Sequence, residues 1–289
     1  MTGDPIRNMI MKIFLLAAAA AALAVPAGAA DSQTLPASPG LSYADLADLG
    51  AGAPVVAHLR VRDADALSPT EAPNVAAGYR RFEIEAEVVA LLRGTGGIDG
   101  RVRYLVDLPN DSRGRPARIG RRAEMLVLAN RVPNRPGDLR LVAADAQIPY
   151  SPEAAEMLRN IVRESSGPDP APRIVGIGRA FHVPGSLAGE SETQFFLLTA
   201  DDRPISLTVL RRPGEQPRWS VALSEIVDDS AAPPAPNTLL WYRLACTLPA
   251  RLPQDALSEA SPEEAQAIQV DYRLVMEGLG GCTRTRARR

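Results

Sequence analysis

Lysine is almost missing from this sequence: Lys12 is the only one, and every other basic side chain is arginine. A Ser-x-x-Lys nucleophile of the penicillin-binding type is therefore excluded from the body of the chain. Histidine is nearly as scarce, with only His58 and His182. Two imidazoles and no His-Glu-x-x-His run do not make an ordinary zinc site, and no metal or other cofactor is expected. The stretch Gly185-Ser186-Leu187-Ala188-Gly189 puts its serine in the wrong place for a G-x-S-x-G elbow, and no glycine-rich phosphate loop or calcium loop is written anywhere. The formal net charge is −2, without the dense basic face that a general nucleic-acid binder needs. Aromatics make up 4% of residues while proline numbers 26, which favours many short elements over long helices. These absences lean the reading away from an enzyme.

What is present begins with an address. Arg7 and Lys12 precede an apolar run from Ile13 to Val25, and Pro26-Ala27-Gly28-Ala29-Ala30 follows it. A basic start, a short apolar segment and a small-residue exit are the parts of a secretory signal peptide, 1–30, with cleavage after Ala29 or Ala30. The run is shorter than the ~20 residues that span a bilayer, so the mature chain is expected to carry no transmembrane segment and to reside in a bacterial periplasm. Residues 31–52 form a leader, in which Ser42 caps a short helix through Leu49.

From residue 53 to 164 the pattern is one of strands. Val55, Ala57, Leu59 and Val61 alternate with His58, Arg60 and Arg62. A long strand from Tyr79 to Leu92 sets Phe82, Ile84, Ala86 and Val88 against Glu83, Glu85 and Glu87, and its alternation slips between Val88 and Leu91 as a bulge would make it. The three glutamates read as the wet face of that strand. Further strands centre on Tyr104, on 125–129 and on 139–143, before Ser151-Pro152-Glu153 opens a helix with Ala155, Leu158, Ile161 and Val162 on one face. Five antiparallel strands, the second long and bulged, plus a terminal helix predict a small closed barrel. Its strand order, over residues 53–150, resembles the OB-type barrels of netrin-like and metalloproteinase-inhibitor modules. The region has no cysteine, so the inhibitory mechanism of those modules does not carry over. As a whole the chain resembles uncharacterised exported proteins of Gram-negative bacteria, which implies a compartment and no activity.

Ser165 to Pro172 reads as a stiff linker, and 173–289 as an antiparallel β domain closed by a C-terminal helix. The fold class is thus mainly β with a few helices. Strands are expected at 174–183, 195–198, 205–209 and 219–223, the last three forming a meander. Pro213-Gly214 supplies a type II turn. Phe195-Phe196-Leu197-Leu198 is apolar on both faces and reads as a central strand covered on both. Leu240, Tyr242, Leu244 and Cys246 alternate as another strand over 239–247. Ser261-Pro262-Glu263-Glu264 is a capping box opening a helix whose stripe is Ile268, Tyr272, Val275 and Leu279.

The two cysteines, Cys246 and Cys282, are expected to pair in an oxidising compartment. They would close a loop of about 35 residues, worth roughly 3–4 kcal/mol of chain entropy; the alternative is two separate buried thiols. For function, His182 and the cluster Arg211, Arg212, Arg218 and Trp219 form a candidate ligand or partner surface, since arginine grips carboxylates and stacks on indole. Asp201-Asp202 and Asp228-Asp229 read as turn residues, and Arg284, Arg286, Arg288 and Arg289 as a frayed tail. No catalytic residue stands out. The favoured expectation is a non-catalytic binding module of the cell envelope, its partner another envelope protein or a polymer. An envelope hydrolase with a dispersed acid–base pair is the alternative; His182 beside a carboxylate and a serine would speak for it.

Overall fold

Alternation of the kind just described needs a curled sheet to bury one face, and the computed structural model supplies one. It describes residues 40–223 and 231–286; the segment 1–30 expected to be a signal peptide, residues 31–39 of the leader, Asp228-Asp229, Arg288 and Arg289 lie outside those residues. Five strands, β1 (Val55–Ala66), β2 (Tyr79–Arg93), β3 (Arg101–Pro109), β4 (Glu124–Val132) and β5 (Arg135–Leu141), follow in the order β1-β2-β3-β5-β4, and β4 returns to β1. The result is a closed five-stranded mixed barrel, with β6 (Gln147–Pro149) added to β4. Its interior holds Leu59, Val61, Phe82, Ile84, Val102 and Val106. The slip in β2 is real: Val56 pairs with Arg93 and Ala57 with Leu91, then His58 with Ala90 and Leu59 with Val88, so Leu92 and Val89 are each bulged out. Glu83, Glu85 and Glu87 face Arg103, Arg101 and Arg62 on the outside.

One expectation about the barrel fails. The strands are not all antiparallel, because β3 and β5 run parallel through Arg103–Asp138 and Tyr104–Leu139. The chain leaves β3 and next pairs as β4 beside β1, and the β4–β5 hairpin then lays β5 along β3 in the same direction.

Two helices pack on the outside of the barrel wall, in one apolar cluster with Val56, Leu126 and Leu128. α1 (Tyr43–Gly50) starts at a capping box made by Ser42 and Asp45, and α2 (Pro152–Ser166) at Ser151, whose hydroxyl accepts from Ala154 N–H. Arg93, at the end of β2, joins their C-terminal ends. Its Nη1 donates to the carbonyls of Gly50, Ala51 and Ala53 at 2.8–3.1 Å and its Nη2 to that of Val162 at 3.3 Å. A cation is the right group there, since both helices present unpaired carbonyls and the negative end of their dipoles.

The second sheet runs β10-β9-β8-β7: β7 (Ile174–Pro184), β8 (Ser191–Thr199), β9 (Ser206–Arg211) and β10 (Arg218–Ala222), all antiparallel. At the β9–β10 turn Gly214 takes φ 77°, the left-handed value that the third position of a type II turn requires. One face of this sheet packs on α4 (Pro262–Leu279), whose buried stripe is Ile268, Tyr272, Val275 and Leu279 as the spacing predicts. The other face is open, which corrects the expectation for β8. Phe195 and Leu197 are buried, but Phe196 and Leu198 are 44% and 53% exposed, with Phe181 edge-on to Phe196. The inner face of this sheet shares one apolar cluster with all four helices.

Residues 239–247 are not a strand. They hold α3 (Leu239–Ala245), capped by the Thr238 hydroxyl. Trp241, Leu244, Ala245 and Leu248 are buried at i, i+3, i+4 and i+7, a helical stripe that a period-two reading of Tyr242 and Cys246 passes over. Cys246 ends α3 and lies at disulfide distance from Cys282, with Cα atoms 5.0 Å apart. The tail after Cys282 is not frayed over its described length. Arg284 Nε donates to Asp48 at 2.7 Å, Thr285 N–H and hydroxyl donate to Asp45, and Arg286 pairs with Asp145. Ion pairs to Asp48 and Asp145, with hydrogen bonds to Asp45, hold what composition alone marks as a loose basic end.

Candidate functional site

The helix that covers the second sheet leaves a groove at its N-terminal half. α4 presents Glu263, Gln266, Ala267, Val270 and Asp271 at helical spacing, and these face His182 and Pro184 on β7, Ser191 on β8 and Arg211 on β9. The groove encloses about 470 Å³, within the range of small-ligand and side-chain pockets. The chain turns between β7 and β8 at 185–190, where Gly185 N–H donates to the Glu190 carbonyl, and this turn extends the far wall.

A chain of hydrogen bonds runs beneath the floor. Asp271 is 1% exposed and Thr193 0%. Arg211 donates from Nε at 2.8 Å and from Nη2 at 2.5 Å to Oδ1 of Asp271. The Thr193 hydroxyl donates to the other oxygen, Oδ2, at 2.5 Å, and Thr193 Oγ1 lies 2.8 Å from Nδ1 of His182. The polarity of this chain fixes the histidine. Thr193 has one proton and gives it to the carboxylate, so its oxygen accepts and His182 Nδ1 is the N–H. In the neutral ring Nε2 is then the acceptor. Register explains the meeting: His182 pairs with Thr193 across β7–β8, and Thr193 with Val209 across β8–β9, two residues from Arg211. All three side chains that matter, at 182, 193 and 211, fall on the face turned toward α4.

In the first turn of α4, Glu264 is held below the ordinary carboxylate range by the Ser261 backbone and side-chain hydrogen bonds of the capping box, with the His182 ring close enough to add to the effect. Tyr272, one residue from Asp271, is pushed up to about 12 by burial and stays a neutral donor, bonded to the Pro249 carbonyl.

Of the candidate surface read from sequence, the structure brings together His182 and Arg211 and disperses the rest. Trp219 lies on the inner face but farther along α4, its Nε1 only 2.4 Å from where a Cβ on Gly278 would sit. Arg212 and Arg218 are exposed at the β9–β10 hairpin, Arg218 with Glu215 for a neighbour. Sequence patterning does not single out Thr193 and Asp271, though each carries a signal. Thr193 is a polar residue beside Phe195 and Leu197 on the inward set of its strand, and it is fully buried. Asp271 sits inside the stripe of α4, three residues after Ile268. A polar group on an otherwise apolar face is the informative exception. His58, the other imidazole, is stacked on Tyr150 with ring centres 4.0 Å apart and its Nε2 3.0 Å from Glu124, which Arg60 also holds. It closes the barrel wall.

Among the described residues no group of three or more His, Cys, Asp or Glu could hold a metal ion, and no helix is long and apolar enough to cross a membrane. No protein-family model matches the chain, and no curated protein matches it.

Proposed function

We propose that this chain is an exported, non-catalytic binding module of the bacterial cell envelope, which takes its ligand in the groove between β7–β9 and α4. The observation that carries the reading is the Arg211–Asp271–Thr193–His182 chain. It buries an ion pair and a hydroxyl beneath an open, largely apolar cleft. Buried ion pairs contribute little net stability compared with apolar packing, so an arrangement that orients one ring at the floor of a cleft is better accounted for by recognition. The barrel, whose strand order supports an OB-like reading, serves as the platform, and the segment 1–30 supplies the periplasmic address.

One observation favours the second reading, a hydrolase: His182, Ser191 and Asp271 line the same groove. Against it, Asp271 reaches the imidazole through Thr193, and the ring nitrogen that faces the acid is already engaged.

A pull-down from envelope extract separates the two readings. The bait, purified from the envelope, is expected to begin near Ala30 or Asp31, to capture a partner intact, and to lose it when the exposed Gln266 is changed to tryptophan to fill the groove. A partner retained by Gln266→Trp would place binding elsewhere. A partner converted to products by the native bait, and not by His182→Gln, would establish the hydrolase.

A further inference from the structure

The charge and hydrogen-bonding character of the groove is specific enough to name a ligand class, resting on the binding reading above. We propose that the groove takes a cationic amphipathic peptide segment, in which a lysine or arginine side chain stands beside an apolar one.

Four features converge on this. The walls are apolar where Pro184, Ala267 and Val270 meet. Val270 is 39% exposed on a helix whose own core stripe lies elsewhere, so it is available to an incoming side chain. The rim is acidic on both sides, with Glu190 at the end of the β7–β8 turn and Glu263 in the first turn of α4. The one arginine lining the groove does not offset them, because its charge is matched by Asp271 at 2.5 Å. Finally, the floor offers an acceptor: the Thr193–Asp271 chain directs the Nδ1 proton of His182 inward and leaves Nε2 as a lone pair.

Ammonium and guanidinium groups are donors only. They meet two carboxylates and an imidazole acceptor here, whereas an anionic ligand would meet two like charges at the mouth. The apolar walls supply what exposed ion pairs do not. Each such pair contributes only about 0.2–1 kcal/mol in water, so affinity comes from burying the neighbouring side chain and selectivity from the rim.

Three fluorescein-labelled decapeptides of identical leucine and valine content test the inference by anisotropy on the full-length mature protein. Their polar positions are arginine, glutamine or glutamate. The arginine peptide is expected to bind roughly tenfold more tightly than the glutamine peptide, and the glutamate peptide more weakly still. The arginine advantage should shrink at high salt and fall in Glu263→Gln and Glu190→Gln, both substitutions of partly or fully exposed side chains. All binding should vanish in Gln266→Trp. Equal binding of the three peptides, abolished by Gln266→Trp, would overturn the cationic preference while sparing the groove as a binding site. Binding that Gln266→Trp leaves intact, or no binding of any peptide, would overturn both.

Discussion

At the scale of single residues, Asp271 is the most consequential side chain outside the apolar core. Its two oxygens link a partly exposed guanidinium to a fully buried hydroxyl, which in turn holds the ring of His182. Removing it leaves the buried Thr193 hydroxyl without its acceptor and the partly exposed Arg211 without its counter-ion, and an orphaned buried donor typically costs about 1–3 kcal/mol. Asp271→Ala should therefore lower the unfolding free energy in denaturant titration by that amount. The double change Arg211→Met with Asp271→Leu should recover much of it, because apolar replacement of both partners is close to neutral. A loss below about 1 kcal/mol in the single variant would mean that water satisfies Arg211 and that the chain does not orient His182 as described. This residue was legible in the sequence in one sense only. Its place in the α4 stripe is visible, but its partners lie 60 and 78 positions away, and no local pattern announces such a meeting.

Elements with local start signals were legible: α1, α2 and α4 each begin at the serine that the sequence marks, and the Pro213-Gly214 turn has the φ its residues demand. What failed was decided by distant contacts. The seven residues of α3 are too few for periodicity to separate helix from strand, and distant contacts of Trp241, edge-on to Tyr43 and donating its ring N–H to the Leu279 carbonyl, fix the outcome. The parallel placement of β5 follows from where β4 lands. The tail beyond Cys282 looked loose because its acids sit far back in the chain. Burial alone would push Asp45 up, yet hydrogen bonds from Thr285 and Ser42 outweigh it and hold the carboxyl at about 2. A carboxyl of ordinary value near 3.9 when unfolded and lower when folded contributes stability that is complete above about pH 4 and is lost as pH falls through about 2. Thr285→Ala, which removes one of those hydrogen bonds, should cost about 1 kcal/mol near neutral pH. That difference should close between pH 4 and 2, as read from thermal melts of both proteins. A difference that stays constant over this range would detach the tail from Asp45.

For the whole molecule, the contrast is between a barrel whose outer glutamates each face an arginine and a second sheet that leaves two surfaces available. One is the groove; the other is the open face carrying Phe181, Phe196 and Leu198. On the proposed function ligand is captured in the groove, whose rim carboxylates make capture directly observable. Carboxyl footprinting of the mature protein, labelled with and without envelope extract, reads Glu190 and Glu263 against Glu83 and Glu87 on the barrel in one experiment. The account predicts that extract suppresses labelling at Glu190 and Glu263 and leaves Glu83 and Glu87 unchanged. Suppression confined to the barrel glutamates, or undiminished labelling at the groove while a partner is bound, would contradict it.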